Sequence, residues 1–527
     1  MRGTNLATGD SSVTFSRRRF LQTSAAIGLG PWTTQAPFSP AAAQEAQVTP
    51  DLVRFSPDIE PIVQLIEETP REKCVAALAG QLRAGLPYRR FVAAVFLAAL
   101  RKQNSHHSVY LVNSAHQLSQ ELSNQERLLP LFWAVDHFKW DQQKFPMPAL
   151  RPLKGPLPDP EKAESELHEA IQQSDKERAE RAATALARSE GTRQAFETFW
   201  QYGCRDVSLI GHRAIAVTSS WRTLETIGWQ HAEPVLRFVV HNLLTTNGGP
   251  DRYYLPNLAR VDKVLGKLPA GWSVGRADRG ATAEGFALLR QGQSELTCEL
   301  AVKQLAGGVG VQPLWDALHI AAAELLILHA TDTGIAARPL HANTTVNALH
   351  FAFNASSDPR VRLLIMLQAT AWVGDFVRSH LVDQGLSETK PVDLGGDRPP
   401  ASAAEAVQEL FEQLPPRTYD LSSKTKGGYA LVKRDARTEL GRKVFALVNR
   451  ESAAAGHYMQ EARRWLCVKA AVEAHEFKLP VALFEDYELV SPEWRPRLLA
   501  ASAHWLHGPQ SPDSPVLQEA RQEIQKL

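Results

Sequence analysis

The chain has 527 residues, with 58 Lys and Arg against 57 Asp and Glu, so its formal net charge is +1. This balance argues against the basic surface that nucleic acid or an anionic membrane attracts, and we predict no nucleic-acid partner. No stretch is long and apolar enough to predict a membrane span. The four cysteines are scattered and include no CxxC pair, which argues against a disulfide scaffold and against a thiolate zinc site.

The first 43 residues are typical of a twin-arginine export signal. Residues 16–21 read Ser-Arg-Arg-Arg-Phe-Leu, a short apolar run follows, and three alanines at 41–43 offer a cleavage site. We therefore predict a signal peptide over 1–43, the twin-arginine translocase as a partner during export, and a periplasmic or secreted product. Twin-arginine systems carry folded proteins, often with a cofactor already bound, so the signal favours a bound metal or cofactor. The alternative is a chance basic cluster in a disordered N-terminus.

Almost every periodic segment of the remaining chain, 44–527, predicts helix, so we expect one all-α region. Residues 89–102 and 313–330 are apolar nearly all round, which indicates buried helices. Residues 163–189 are amphipathic, with opposite charges four residues apart, and predict one solvent-facing helix. Runs of alternating apolar and polar residues are scarce. Three segments are predicted connections: 144–162, 245–275 and 383–402.

Three blocks of the sequence share one order of features: a Gly, a mostly apolar helix, and a His that begins a second helix. The histidines are His107, His212 and His341, and each has a Val five residues later. A fourth, weaker copy has His457 but lacks the Val. The intervals suit a unit of several helices rather than a short solenoid repeat. We predict a helical array or ring of three or four diverged copies, with units at roughly 70–145, 163–245, 282–383 and 402–508.

The phrases HSVYLVNSAH (107–116) and HANTTVNALH (341–350) each place two histidines nine residues apart. A helix turns about 100° per residue, so positions nine apart face opposite sides and cannot share one site. The first His of each copy is therefore the candidate, because related units would bring these residues together. Neutral imidazoles gathered in one cavity bind iron, copper or zinc, or serve as acid/base groups.

The predicted metal ligands of this site are His107, His212, His341 and His457. Asn113 and Asn347, each one turn before the second His of its copy, are predicted to support the cofactor. The alternative is that the repeated histidines cap helices or fill equivalent packing positions.

A second candidate group lies on the helix predicted over 313–330. Glu324 lies in the apolar run IAAAELLIL and needs a partner, because a buried carboxylate is costly unless it is paired or bound to a metal. His319 and His329 are too far apart along the helix to share one ion. We predict that Glu324 and His319 join a metal site through a partner helix, or that Glu324 belongs to a buried ion pair.

Two further clusters combine His with a carboxylate. His231 and Glu233 flank a predicted helix start, where they would hold an anion, a cofactor or a metal, or form a structural turn. His475, Glu476 and Lys478 lie near a predicted helix end, and we interpret them as an ordinary solvated face. The sequence contains no P-loop, no GxSxG and no dinucleotide-binding motif.

The blocks HHSVYLVNSAH, GHRAIAVTSSW and HANTTVNALHFAF resemble those of the questin oxidase-like family. The resemblance implies an all-α oxidoreductase that inserts oxygen into a small aromatic, quinone-like or phenolic substrate. The chain departs from that family's pattern in its export signal and its long insertions. We expect an exported, His-rich, metal- or cofactor-dependent oxidoreductase with an interior site. The alternatives are a non-catalytic helical scaffold and a protein that binds a small molecule or a partner.

Overall fold

The structure, a computed structural model, describes ten stretches of the chain: 52–102, 106–189, 191–207, 210–245, 249–328, 337–383, 402–414, 434–450, 452–469 and 474–527. These residues form α-helices and no β-strand, so the predicted all-α class is confirmed. Within them, no helix has both the length and the apolar character needed to cross a membrane. The predicted signal peptide, 1–43, and His329 lie outside the described residues.

The helices are numbered in chain order. The first eleven are α1 (Glu60–Glu68), α2 (Arg71–Arg83), α3 (Tyr88–Lys102), α4 (His106–Ser119), α5 (Leu129–Lys144), α6 (Pro160–Gln172), α7 (Lys176–Arg188), α8 (Thr192–Gly203), α9 (His212–Ile227), α10 (Ala232–Leu244) and α11 (Tyr254–Val264). The next eleven are α12 (Arg279–Arg290), α13 (Ser294–Ala306), α14 (Gln312–Leu328), α15 (Ala337–Ala355), α16 (Pro359–Val377), α17 (Ala403–Glu412), α18 (Arg434–Arg450), α19 (Ser452–Lys469), α20 (His475–Leu489), α21 (Arg495–Ser502) and α22 (Pro515–Ile524).

The charged segment at 163–189 forms two helices instead of the predicted single one. Ser174, just after α6, has a positive φ of 57°, which a continuing helix does not allow. Asp175 then caps α7, because its side chain accepts a hydrogen bond from the backbone N–H of Arg178 at 3.0 Å. The two helices pack against each other.

The segment 245–275, predicted as a connection, contains the helix α11. Asn257 and Val261 of this helix are buried, and the Asn257 amide donates to Oε1 of Gln368 on α16 at 2.9 Å. The prediction was wrong here because Gly and Pro at both ends of the segment obscure a short helical stretch that α16 buries. The Pro-rich segment between α5 and α6 contains no helix, as predicted.

Four helices form a closed ring within the described fold: α4, α9, α15 and α20. Each packs against two others, since α4 contacts α9 and α20, and α15 also contacts α9 and α20. From the N-terminal to the C-terminal end of α15, successive residues contact positions progressively closer to the C-terminal end of α9 and of α20. These three helices are therefore parallel. The origin of the ring in diverged copies stays a prediction.

Outer helices cover each helix of the ring: α3 packs on α4, α10 on α9, α14 and α16 on α15, and α21 on α20. Polar side chains on the ring helices are therefore buried, and α15 alone buries His341, Asn343, Thr345, Asn347 and His350. Buried polar groups need hydrogen-bond partners, which these side chains find on neighbouring helices. The fold thus concentrates polar chemistry at its centre.

Arg101, at the end of α3, anchors the N-terminal part of the described chain. Its guanidinium makes two 2.9 Å hydrogen bonds to the carboxylate of Glu67, one of 2.6 Å to Glu60 and one of 3.0 Å to the carbonyl of Val53. Burial raises the pKa of Glu67, and the Arg101 cation opposes that shift. Removing one partner of such a group leaves an uncompensated buried charge.

We expect Arg101→Ala to lower the free energy of unfolding by about 3–5 kcal/mol, because Glu67 would be left buried without its cation. Urea unfolding followed by circular dichroism measures this loss. The matched control is Arg83→Ala, which breaks a more exposed pair with Glu523 and should cost less than about 1 kcal/mol. Equal losses in the two variants would contradict the anchoring role.

Candidate functional site

Four imidazoles meet in the N-terminal part of the ring helices. The ring centroids are 4.6 Å apart for His107 and His475, 4.9 Å for His475 and His341, 4.7 Å for His341 and His212, and 5.5 Å for His212 and His107. These four residues are named the histidine cluster. His341 and His475 are buried, whereas His107 and His212 are partly exposed, so the cluster opens toward α4 and α9.

The start of α9 is shaped so that His212 approaches His341. Ile210 and Gly211 have positive φ angles of 50° and 84°, and the Ile210 carbonyl accepts a hydrogen bond from Oγ1 of Thr345 at 3.2 Å. A Cβ added to Gly211 would lie 1.9 Å from that Oγ1. Gly211 is therefore required both by its backbone conformation and by the approach of α15. A positive φ at the β-branched Ile210 is strained and persists only where surrounding contacts hold it.

Lys478 and Tyr110 line the cluster. Nζ of Lys478 lies 2.7 Å from Nδ1 of His107. The Tyr110 ring stacks on His212 with the centroids 6.3 Å apart, and its hydroxyl donates to Oδ1 of Asn242 at 3.0 Å. Burial raises the pKa of Tyr110 well above 10, so the phenol stays protonated. The cluster thus combines imidazoles, one amine and one aromatic ring.

His107 is neutral at pH 7. Burial lowers its pKa well below the usual 6.5, and Lys478 and the three neighbouring imidazoles lower it further. An ammonium group only donates, so Lys478 as a cation donates to Nδ1, and His107 then carries its proton on Nε2. A neutral imidazole keeps one lone pair, which a metal ligand and a general base both require.

Two of the four imidazoles are spaced like ligands of one ion. At a metal–nitrogen distance of about 2.0–2.1 Å, two nitrogens of a tetrahedral site lie about 3.3–3.4 Å apart. The Nε2 atoms of His212 and His341 are 3.3 Å apart. Across the described ranges, no group of three or more His, Cys, Asp or Glu side chains is arranged to hold a metal ion. His107 and His475 would therefore have to turn about their side-chain bonds to complete a site, although imidazole is a ligand type that iron, copper and zinc favour.

His475 takes the place that the sequence assigned to His457. His457 is exposed on α19, whereas His475 begins α20 in contact with His107 and His341. The interpretation of His475 and Lys478 as a solvated face was wrong, because both side chains are buried. A signal was present: His475 precedes the apolar run FKLPVALF, whereas His457 precedes the charged stretch YMQEARRW.

Asn347 lies six residues after His341, about 9 Å farther along α15. Its Oδ1 accepts a hydrogen bond from Arg222 at 3.2 Å, and its Nδ2 donates to Glu485 and to Asp486, both at 2.8 Å. Arg222 also pairs with Glu485 at 2.5 Å. This group of four residues, the Asn347 clamp, joins α9, α15 and α20. Asn347 therefore joins three of the ring helices, and its support of a cofactor stays a prediction.

Asn113, the corresponding residue on α4, is buried, and its Oδ1 has no hydrogen-bond partner in the described structure. The second His of the same phrase, His116, faces away from the cluster, since its Nδ1 lies 3.1 Å from the hydroxyl of Tyr88 on α3. Burial lowers the pKa of His116 to about 4, and nearby Arg127 contributes to the shift. The two faces of α4 thus carry histidines in separate surroundings.

His319 belongs to a second buried network. Its Nε2 lies 2.9 Å from Nδ1 of His350, and its Nδ1 lies 3.3 Å from Oδ2 of Asp486. His350 stacks face to face on Trp315, with the centroids 4.2 Å apart. Through Asp486, this network is connected to the Asn347 clamp.

The remaining predicted site residues lie in other surroundings. Glu324 is buried and accepts a hydrogen bond from Nε of Arg290 at 2.6 Å, which is the ion pair that the sequence left as an alternative. His231 is buried in the turn before α10, and Glu233 pairs with Arg188 at 2.8 Å. The carboxylates of both predicted groups are thus partnered by arginines.

A cleft of about 840 Å³ lies beside the loop that precedes α9, and its lining includes Asp206, Asp375 and Arg378. Asp206 forms a buried ion pair with Arg213, which follows His212 in sequence. None of the four cluster histidines lines this cleft. Its lining of carboxylates and arginines sets it apart from the histidine cluster.

We expect Gly211→Ala to lower the free energy of unfolding by more than the roughly 1–3 kcal/mol that a positive φ costs a non-glycine residue, because the new Cβ also meets Thr345. The control is Gly85→Ala, since Gly85 has a φ of 95° and an added Cβ there meets no atom within 4 Å. Urea unfolding of both variants measures the difference. Equal losses would contradict the close approach of α9 to α15.

Burial lowers the pKa of His350 well below 6.5, and His319 lowers it further. As the pH falls, this imidazole is therefore protonated in the unfolded chain before it is protonated in the folded protein. The contribution of the neutral His350 to the free energy of unfolding is complete above about pH 6.5 and is lost as the pH falls below that value. We expect His350→Phe, which keeps a ring against Trp315, to reduce the slope of unfolding free energy against pH below that point by about 1.4 kcal/mol per pH unit.

Urea unfolding at a series of pH values below neutrality measures this slope. The control is His457→Phe at an exposed position, for which we expect the slope of the unchanged protein. A slope unaltered by His350→Phe would mean that His350 is protonated in the folded state.

The chain matches no protein-family model, no curated protein and no solved structure. The geometry of the histidine cluster and of the residues around it is therefore what bears on function.

Proposed function

We propose that this chain is an exported, metal-dependent oxidoreductase and that the histidine cluster holds its metal. The main support is the meeting of four imidazoles, one from each helix of the ring. Imidazole is a ligand type that iron and copper bind, and the Nε2 atoms of His212 and His341 lie 3.3 Å apart, close to the spacing of two ligands of one ion. His107, His212, His341 and His475 would be the ligands.

The proposed class of reaction, rather than the donor set, favours a redox metal. Iron and copper bind imidazole and change oxidation state, and the resemblance of the sequence to the questin oxidase-like family favours the same class of reaction. Zinc fits the imidazoles equally well but supplies no redox chemistry. Iron or copper is therefore the metal that we propose.

The substrate we propose is a phenolic or quinone-like aromatic compound. His107, His212 and His475 begin or nearly begin their helices, and a helix N-terminus favours negative charge nearby. With the Lys478 cation added, the surroundings stabilise negative charge on a substrate oxygen. The ring of Tyr110 offers an aromatic surface at the same place. Such a substrate would enter from the side of α4 and α9, where His107 and His212 are partly exposed.

The protein's own residues would divide the remaining work. Lys478 and Tyr110 would orient substrate oxygen atoms, because an ammonium and a phenol both donate hydrogen bonds. The Asn347 clamp would hold three of the four ligand-bearing helices at fixed positions. The twin-arginine motif at 16–21 supports loading of the metal before export to the periplasm or beyond.

A second candidate function is a non-catalytic helical scaffold or a protein that binds a small molecule or partner. The observation in its favour is that no three of the described His, Cys, Asp and Glu side chains are already placed to hold a metal. In that case the imidazoles would be packing elements held together by Lys478 and by their mutual ring contacts.

We expect the protein, purified after its native export, to contain iron or copper in near-stoichiometric amount by elemental analysis. His341→Ala and His475→Ala should each lower metal affinity by more than the 10–100-fold typical of residues that only orient ligands. The matched control is His116→Ala, which removes a partly buried His from the opposite face of α4. Dioxygen uptake with a phenolic substrate tests whether the bound metal is catalytic.

Two results would contradict the proposal. Folded, metal-free protein whose stability is unchanged in His341→Ala would favour the scaffold. Equal metal loss in His116→Ala and His341→Ala would place the metal outside the histidine cluster.

A further inference from the structure

Three of the seven large apolar side chains that the described residues expose lie close together, at the end of α5 and just after it. Trp140, Phe145 and Met147 have exposed fractions of 36%, 57% and 44%. The ring centroids of Trp140 and Phe145 are 5.7 Å apart, so the two rings form one patch, and Met147 follows two residues later. A contiguous exposed apolar group, unlike a single exposed side chain, indicates contact with another surface.

The backbone that follows this patch is tied to the rest of the fold. The N–H of Leu150 donates to the carbonyl of Arg101 at 2.6 Å, and the carbonyl of Leu150 accepts from the N–H of Val53 at 3.1 Å. The guanidinium of Arg237 donates to the carbonyl of Arg151 at 2.6 Å. The Leu150 side chain is buried. The connection after α5 is therefore held by three hydrogen bonds while its apolar side chains remain exposed.

Positive charge surrounds the patch. Between residues 142 and 158 the sequence has no Asp or Glu. Three exposed cations lie in that range, and a fourth lies next to the backbone bond just described: Lys144, Arg151, Lys154 and Arg54. None of the four forms an ion pair with another described residue. These cations and the three apolar side chains are named the cationic apolar surface, a local excess of charge that the net charge of +1 averages out.

From this combination we propose that the cationic apolar surface docks the protein on a bilayer that contains anionic lipids. Cations attract the lipid phosphates, and each Lys or Arg close to such a surface strengthens binding about fivefold. Aromatic side chains favour the boundary between headgroups and acyl chains, where Trp140 and Phe145 insert. This docking requires neither the metal nor the reaction proposed above.

Two features favour a lipid surface over a protein partner. Lysine is depleted from protein–protein interfaces, whereas its long side chain lets the ammonium reach lipid phosphates while the stem lies on apolar groups. Pro146, Pro148 and Pro152 have no N–H, so the backbone near Phe145 brings fewer unsatisfied donors into an apolar layer. The surface therefore suits a shallow insertion, about 5–10 Å deep.

Flotation with lipid vesicles tests the docking on protein purified after its native export. We expect binding to vesicles of equal parts phosphatidylglycerol and phosphatidylcholine. Binding should be much weaker to phosphatidylcholine alone, and also at about 1 M salt, where the screening length is about 3 Å. Lys144→Glu exchanges a positive for a negative charge, so the affinity should fall about 25-fold. The matched control is Lys267→Glu, at an exposed lysine outside this surface, which should leave the affinity unchanged.

The same assay tests the apolar part of the surface. Phe145→Ala should lower the affinity for the anionic vesicles about fivefold, because about half of a phenylalanine side chain would no longer leave water on binding. The matched control is Leu296→Ala, since Leu296 is 50% exposed but lies beside the exposed Glu295 and Glu299. That variant should bind as the unchanged protein does.

A fluorescent label measures insertion directly. The four native cysteines are buried, so a cysteine introduced by Met147→Cys is labelled selectively with a polarity-sensitive fluorophore. We expect its emission to shift to shorter wavelength on the anionic vesicles, because the label enters an apolar layer. The same label on Leu296→Cys should show no shift.

Several results would overturn the docking. These are no flotation with the anionic vesicles, an affinity that Lys144→Glu and Phe145→Ala leave unchanged, and a label at residue 147 whose emission does not shift. A protein that cross-links to residue 147, in the absence of vesicle binding, would assign the surface to a protein partner instead. A chain that binds vesicles but no metal would contradict the proposed function and leave the docking intact.

Discussion

In the ring of α4, α9, α15 and α20, four imidazoles and one amine lie within ring-contact or hydrogen-bond distance of one another. Any additional positive charge there would be repelled by the Lys478 cation and poorly solvated. This repulsion, added to burial, keeps His107 neutral. Metal binding and general-base catalysis both depend on that neutrality, because only a neutral imidazole offers a lone pair.

The helices of the ring are held together at two levels. Near the histidines, Thr345 bonds to the backbone just before α9, and farther along α15 the Asn347 clamp joins α9 and α20. Two separated contacts fix both the position and the tilt of a helix. On α4, by contrast, Asn113 leaves its Oδ1 without a hydrogen-bond partner in the described structure. The helix that carries His107 is instead joined to α10 by the hydrogen bond from Tyr110 to Asn242 and to α20 by the contact of His107 with Lys478.

The all-α class followed from periodicity, and the shared position of His107, His212 and His341 followed from a repeated phrase. Their convergence was expected from a repeat of related helical units, and that repeat stays a prediction. The fourth position was missed although the apolar run after His475 indicated burial: His457 lies at the surface and His475 in the interior. Lys478, which lies in the same apolar run, was missed with it. Contacts such as Asn347 with Asp486 join residues more than a hundred positions apart, which no local pattern reveals.

The contact between Lys478 and His107 has a consequence for metal loading. If Nδ1 of His107 is to bind a metal, Lys478 must move away from it. If Nε2 of His107 is to bind the metal instead, its proton must pass to Nδ1. A protonated Nδ1 cannot accept a hydrogen bond from an ammonium group, so Lys478 must then lose a proton or move away. Unless Lys478 simply moves away with its charge, a proton is released, and the affinity of the proposed site for metal would rise with pH. Lys478 would therefore compete with a metal for His107, and its repulsion of any cation at the cluster would act in the same direction.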